Sequence, residues 1–299
     1  LPFFSFAVNG EEIPAYRYNG LGVLHEAIFW QWRQPVKNLR RYGKAPYRVV
    51  VVHGGPGAPG EMAPVARELE SDWGVLEPLQ QANTIAGQVE ELHAVLAEHA
   101  DLPIVLIGFS WGAWLSILFA ERFPRMVCKL ILIGSGSFTE AYIADMHATR
   151  LERLSSAERR ELTQLLEIMA AQEEVAKSVF RRAGELLSIA DAFDPLPAES
   201  EIVDFQVDIY RGVWPEAAEL RRSGELLASA ARIQCPVVAI HGDHDSHPAE
   251  GVRVPLETVL PEFRFILLER CGHKPWIEQH ARAPFYGVLE NELHLMPEI

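Results

Sequence analysis

The feature that most constrains this chain is a series of short, unbroken apolar runs, each closed by a glycine-bearing or polar loop. They are "YRVVVV" (47–52), "LPIVLIG" (102–108), "KLILIGS" (129–135), "CPVVAIHGDHD" (235–245) and "FRFILLERCGH" (263–273). Continuous β-branched runs of this length predict strands buried on both faces, as in a parallel sheet. "GVLEPLQ" (74–80) reads as a further strand. Segments of helical period lie between them. In 85–99, Ile85, Val89, Leu92, Val95 and Leu96 form one apolar stripe. "WGAWLSILFAERFP" reads as a helix stopped by Pro124. Strands alternating with helices predict an α/β fold, a mostly parallel central sheet flanked by helices.

The pattern changes over 137–230, where no buried strand run occurs. Residues 155–187 read as one helix: Ser155 and Glu158 have capping-box spacing, and Leu162, Leu165, Leu166, Met169 and Ala170 make a stripe. "EIVDFQVDIYRGVW" and "AAELRRSGELLASAA" read as two more helical segments. The expected organisation is a core of 1–136 and 231–299, with 137–230 inserted as a helical cap. At the N-terminus, "FSFAV" and "IPAYRY" read as antiparallel strands around Asn9-Gly10, a hairpin signal. Residues 21–45 fit strand or helix equally. The last segment, from Trp276, reads as a helix that Pro284 breaks or kinks.

In open α/β sheets, ligands bind beyond the carboxyl ends of the strands. Four loops at those ends carry chemistry: "HGGPG" (53–57), "GFSWG" (108–112), "HGDHDSHP" (241–248) and "CGHKPW" (271–276). Together they hold the parts of acyl transfer. Serine is a weak nucleophile at neutral pH, so an imidazole must take its proton and return it to the leaving group. A carboxylate must fix the imidazole tautomer. Two amides must face the developing oxyanion.

Ser110, between Gly108 and Gly112, fits a nucleophile elbow. It equally fits a plain strand-to-helix turn, because Gly-x-Ser-x-Gly arises by chance in roughly one chain in ten of this length. His273 fits the base, or else a loop histidine capping the last helix. Asp245 reaches further into its loop than Asp243 and is the expected acid, Asp243 being a turn former or a partner of a nearby histidine. The oxyanion donors are expected to be the amides of Gly55 and Trp111, with His53, Gly54, Pro56 and Gly57 shaping the loop. A Gly-Pro turn is the plain alternative; the Gly-Lys-Ser/Thr ending of a phosphate loop is absent.

With the order Ser110, Asp245, His273, the chain resembles the α/β-hydrolase superfamily over nearly its full length. "HGGPG" is similar to the oxyanion loop of the proline iminopeptidase branch. The resemblance implies a serine hydrolase with a helical cap, needing no metal or cofactor. Where that branch usually carries D-Q-R-G this chain has "VLEPLQQANT", and its elbow is G-F-S-W-G rather than G-G-S-W-G. The expected activity is therefore hydrolysis of a small to medium carboxylic ester. The alternatives are an aminopeptidase of the proline iminopeptidase type and a ligand receptor with vestigial turnover. In the iminopeptidase branch, cap acids hold the substrate's amine. Glu199, Glu201, Asp204, Asp208, Glu216 and Glu219 stand where such acids would, or on a solvated helix face. Phe193, Phe205, Tyr210 and Trp214 either line an acyl pocket or pack the cap onto the core.

His241, His244 and His247, interleaved with Asp243 and Asp245, also read as a metal site, but no helical H-x-x-x-H spacing is present. Cys271 reads as a buried structural thiol. A net charge of −14 argues against nucleic-acid partners. Three scattered cysteines suggest a reducing compartment. The first residues lack the basic start of a signal peptide, and no run approaches a membrane span. The expected location is cytoplasmic, with a small-molecule ester or short peptide as substrate. Nothing in the sequence sets an oligomeric state.

Overall fold

The valines of 49–52 divide between two apolar layers, and that division organises the molecule. The computed structural model describes residues 7–8, 11–12, 38–171, 175–197, 202 and 205–295. The chain falls into two units, Leu1–Lys37 and Asn38–Ile299. In the first, β1 (Ala7–Val8) pairs antiparallel with β2 (Glu11–Glu12), directly across Asn9-Gly10. The pairing thus involves Glu11 and Glu12, whereas the expected second strand, "IPAYRY", lies outside the described residues. The remainder of the N-terminal reading, through residue 37, lies outside the described residues.

The second unit runs β3 (Leu39–Tyr42), β4 (Tyr47–Val52), α1 (Ala63–Leu69), β5 (Gly74–Pro78), α2 (Ile85–His99), β6 (Ile104–Phe109), α3 (Trp111–Arg122) and β7 (Val127–Ile133). After β7 come α4 (Ile143–Arg153), α5 (Ser156–Ala171), α6 (Lys177–Asp191), α7 (Val207–Ser223) and α8 (Glu225–Ala230). Then β8 (Val237–Gly242), α9 (Glu250–Val259), β9 (Phe263–Leu268) and α10 (Arg282–His294) complete it. The sheet order is β3-β5-β4-β6-β7-β8-β9. Only the β3–β5 pair is antiparallel. This is the α/β-hydrolase fold.

Val49 and Val51 join Ile107, Ile131, Val238 and Phe285 in one layer, under α1 and α10. Val50 and Val52 join Leu106, Leu132, Trp111 and Leu256 in the other, under α2, α3 and α9. Both layers are needed to bury an all-apolar strand. Parallel pairing sends the carboxyl ends of β4, β6, β7, β8 and β9 to one edge, so all four singled-out loops emerge there. Among the described residues, no helix is long and apolar enough to cross a membrane.

Three helical expectations need correction. Residues 155–187 form two helices, α5 and α6, not one. Two helices let Leu162 of α5 pack against Ala183, Leu186 and Ala190 of α6, with Leu165 and Met169 partly buried beside them, while Leu166 and Ala170 of the expected stripe stay exposed. The fork of Arg182 on Glu161 closes the same pair. The capping box is formed: Ser155 N–H donates to Glu158 Oε2 at 3.0 Å and Glu158 N–H to Ser155 Oγ at 3.3 Å. Helix α7 runs through Pro215 and ends at Gly224, whose φ of 85° suits a left-handed cap. The last helix starts at Arg282 rather than Trp276; Pro284 falls in its first turn, where a missing N–H costs nothing. Helices α1 and α9 and the edge strand β3 were not anticipated.

Candidate active site

Ser110 stands alone between β6 and α3 with φ 52° and ψ −113°. A side chain there is strained, and such strain gathers at functional sites. The surroundings enforce it. Ser110 N–H donates to Ile133 O at 2.9 Å. A Cβ on Gly108 would lie 2.2 Å from Gly112 O, and one on Gly112 would lie 2.4 Å from Val52 O and 2.5 Å from His53 O. The flanking glycines thus let β6, α3 and the end of β4 touch backbone to backbone. Ser110 is partly exposed, and its hydroxyl has no hydrogen-bond partner among the described residues.

His273 follows β9, and its Nδ1 lies 2.7 Å from Asp245 Oδ2. Its amide donates to Asp191 O at 2.8 Å, and its ring packs on Phe109, centroids 4.8 Å apart. Gly134, just beyond Ile133, abuts it: a Cβ there would lie 2.8 Å from His273 O. Ser110 and His273 therefore converge on the end of β7.

The Asp245 side chain is wholly buried. Its second oxygen accepts from His247 N–H at 2.9 Å and faces His247 Nδ1 at 2.9 Å. His241 Nε2 lies 3.5 Å from Oδ2. Burial opposes ionisation, but the facing imidazoles of His273, His247 and His241 hold the carboxyl well below its ordinary range. An ionised carboxylate only accepts, so both Nδ1 atoms carry hydrogen and the neutral His273 offers its Nε2 lone pair. Burial alone would depress His273, yet the charge and hydrogen bond of Asp245 prevail and raise it. For His247 burial prevails, pushing it down to about 4. Asp243 lies in the turn after β8, and its carboxylate accepts Cys271 N–H at 3.1 Å from the loop after β9.

In the 53–57 loop, Gly55 has φ 31° and Gly57 φ 82°. A Cβ on Gly54 would strike the Phe109 ring at 2.7 Å, and one on Gly57 would strike Gln206 O at 2.3 Å. Gly57 O accepts Gln206 N–H at 2.8 Å. His53 is fully buried, with Nδ1 donating to Gly54 O at 2.7 Å; burial depresses it. No acceptor for the Gly55 amide occurs among the described residues. Trp111, the first residue of α3, has no intrahelical acceptor for its amide. Its indole is fixed on Gln88 Oε1 at 3.1 Å.

A cavity of about 980 Å³ opens beside His273, lined also by Phe180, Ile189, Phe205, Trp276 and Ile277. A second, of about 920 Å³, lies among Gln81 and Asn83 of the loop after β5 and Gln206 and Asp208 at the start of α7, and His273 is not in its lining. Only the first reaches the candidate base. Asp245, His247 and His273 offer ligand atoms within 4.8 Å of one another, a set that could hold a metal ion. It differs from the histidine set read from the sequence, since His241 and His244 are outside it.

Among the acids singled out between 199 and 219, Glu216 accepts the Ile85 amide at 2.9 Å at the start of α2, and Glu219 pairs with Arg222. Glu199, Glu201 and Asp204 lie outside the described residues. Tyr210 and Trp214 continue a column of stacked rings to Trp114, while Phe205 lies against Phe180 and Tyr210. Phe193 sets its edge against His244. Cys271 is buried, its thiol raised by burial. Sequence reasoning missed Arg150, Asp191 and Glu278. The first two form a forked ion pair of 2.8 and 2.7 Å. Glu278 accepts the amides of Phe193, Asp194 and Gly272 at 2.8–3.1 Å. None of the three sits in a local motif; only tertiary contact reveals them.

A parallel sheet with a strained serine at the end of one strand, and a His–Asp pair beyond two later ones, defines the class. Residues 24–286 match the model of the alpha/beta hydrolase family, and the chain belongs to that family. A pimeloyl-[acyl-carrier protein] methyl ester esterase of Nitrosomonas europaea is 23% identical over 195 residues, 63% of this chain and 71% of its own. The crystal structure of VinJ superposes with TM-score 0.61 at 20% identity, over 87% of this chain and 95% of that one. A proline iminopeptidase of Mycobacterium smegmatis does so with TM-score 0.55 at 17% identity, over 87% and 96%.

Proposed function

We propose that the protein is a serine hydrolase that cleaves a small to medium carboxylic ester through an acyl-enzyme on Ser110. The observation that carries this reading is the buried, ionised Asp245 at 2.7 Å from His273 Nδ1, on the sheet edge that bears the Ser110 elbow. His273 Nε2 takes the Ser110 proton as Oγ attacks the ester carbonyl, the hydrogen bond between them forming when substrate is bound. Asp245 holds the tautomer and stabilises the imidazolium. The amides of Gly55 and Trp111 receive the oxyanion. His273 returns the proton to the leaving alcohol, and water activated the same way then frees the acid. Residues 137–230 act as the cap, and the cavity beside His273 takes the substrate.

The second reading is an aminopeptidase of the proline iminopeptidase type, favoured by the 53–57 loop. Against it, Glu216 and Glu219 are already engaged. The test is labelling by a fluorophosphonate, wild type against Ser110→Ala, followed by nitrophenyl esters and prolyl or alanyl nitroanilides. Labelling lost in the variant, with ester turnover, supports the proposal. Turnover of anilides alone transfers it to the aminopeptidase. Folded wild type that never labels overturns both and leaves the ligand receptor.

A further inference from the structure

Asp245 distributes its two oxygens between two histidines, and only one of them belongs to the triad. His273 Nδ1 takes Oδ2 at 2.7 Å; His247 takes Oδ1 with its amide and its Nδ1, both at 2.9 Å. The two rings stack, centroids 4.6 Å apart at 24°. A protonated His247 would place a fixed cation against the ring that must itself become cationic in the reaction. It would also compete with that ring for Asp245.

Arg150 stands at the far side of His247, its Nη2 3.5 Å from His247 Nε2. Its guanidinium is itself held in the fork of Asp191, at 2.8 and 2.7 Å. Asp191 in turn accepts Ser246 Oγ–H on its carboxylate and the His273 amide on its carbonyl, the latter at 2.8 Å. Arg150 lies one turn before the end of α4 and Asp191 ends α6, so both come from the inserted helical segment.

We propose that Arg150 is a positioning residue for the reaction, acting through His247: its Nη2–H, held in place by the Asp191 fork, faces His247 Nε2, so that ring carries its hydrogen on Nδ1, which fixes Asp245 for His273. This rests on the triad reading above. The charged and titratable groups facing His247 are Arg150 and Asp191 from the helical segment, Asp245 and His241 from its own side, and His273 from the loop after β9. Arg153, which donates to His244 O at 2.6 Å, faces Asp245 as well. The positive charge of Arg150 opposes protonation of both His247 and His273. Removing it therefore raises both.

The experiment is the rate of fluorophosphonate labelling of the full chain from pH 4.5 to 9, which needs no knowledge of the substrate. In Arg150→Gln, the acid limb should move up by about one pH unit, as expected for a lost charge beside a buried group. The plateau should fall about tenfold through misplacement. In His247→Asn, the further effect of Arg150→Gln on the plateau should vanish. Arg150→Lys, which keeps the charge that Asp191 requires, should hold the limb in place while losing the fork, with the plateau again down about tenfold. This variant decides if Arg150→Gln does not fold. An Arg150→Gln limb that superposes on wild type, or full rate in Arg150→Lys, overturns the inference. Wild type that does not label at all fails the triad reading instead, so the two failures are distinct.

Discussion

Replacing Asp245 by asparagine tests the acid assignment most directly. Three donors converge on this carboxylate: His273 Nδ1 at 2.7 Å, and the His247 amide and Nδ1 at 2.9 Å each. An amide side chain has one oxygen, so one ring must turn or adopt the other tautomer. If His273 carries its hydrogen on Nε2, it has no lone pair for the Ser110 proton. A wrong tautomer in such a site lowers kcat about 10⁴-fold, which is about 5.5 kcal/mol of barrier. The pH profile adds a second reading. Activity requires neutral His273, whose pKa in wild type is raised by Asp245 against the effect of burial. Without the carboxylate, burial is the larger remaining influence, so the acid limb should drop below the ordinary histidine value of about 6.5. Asp243→Asn is the control. Among the described residues its side chain accepts one hydrogen bond, from the Cys271 amide at 3.1 Å, and an asparagine oxygen can still accept it. It should stay within about threefold of wild type, since a neutral hydrogen bond contributes about 1 kcal/mol. The assay is kcat/KM for a nitrophenyl ester from pH 4.5 to 9. An Asp245→Asn variant within tenfold of wild type, or collapse in Asp243→Asn instead, would refute the reasoning.

Gly112→Ala forces a methyl to within 2.4 Å of Val52 O and 2.5 Å of His53 O; urea unfolding should show a loss of about 1–3 kcal/mol, the range for overpacking, and labelling should fall with it. His247 titrates near 4 in the fold against about 6.5 unfolded. Between those values the unfolded chain holds a proton that the fold does not. Stability should therefore rise with pH across that window, by about 3 kcal/mol, and His247→Gln should flatten the rise in Tm. Dialysis against EDTA should leave ester hydrolysis unchanged; a loss restored by zinc would shift the chemistry to the cluster of Asp245, His247 and His273.

The sheet was legible because its strands are buried on both faces. Runs such as Val49–Val52 and Ile104–Ile107 have no polar position to blur them, and parallel pairing then fixes which loops share an edge. The elbow was legible because its glycines stand where backbones touch. Helix ends were less so. Nothing in "AAQEEVAK" is a glycine or proline, so the break between α5 and α6 is imposed by the packing of Leu162 on Leu186 rather than by a local signal. The N-terminal side of β3 carries no such periodicity either. Within the site, His247 was visible only as one more histidine in "HGDHDSH". Arg150 and Asp191, 41 residues apart on helices with polar faces, read as ordinary surface charges. A pairing made in three dimensions leaves no spacing in the chain.

Those contacts bear on what the inserted helices can do. The segment is joined to every strand-end loop of the site but the elbow: by backbone pairs of Gln206 N–H to Gly57 O, His273 N–H to Asp191 O and Leu196 N–H to Ile277 O, and by the Arg153 guanidinium to His244 O. Glu278, wholly buried, ties Phe193, Asp194 and Gly272 to one carboxylate. Lifting the stretch from Asp191 to Leu196 would strip the partner from the His273 amide and leave a buried carboxylate short of donors, a cost of about 1–3 kcal/mol for each group left unpaired. Opening there is therefore disfavoured together with loss of the aligned base. Access to the cavity is better sought along α6, where Ile189 is half exposed.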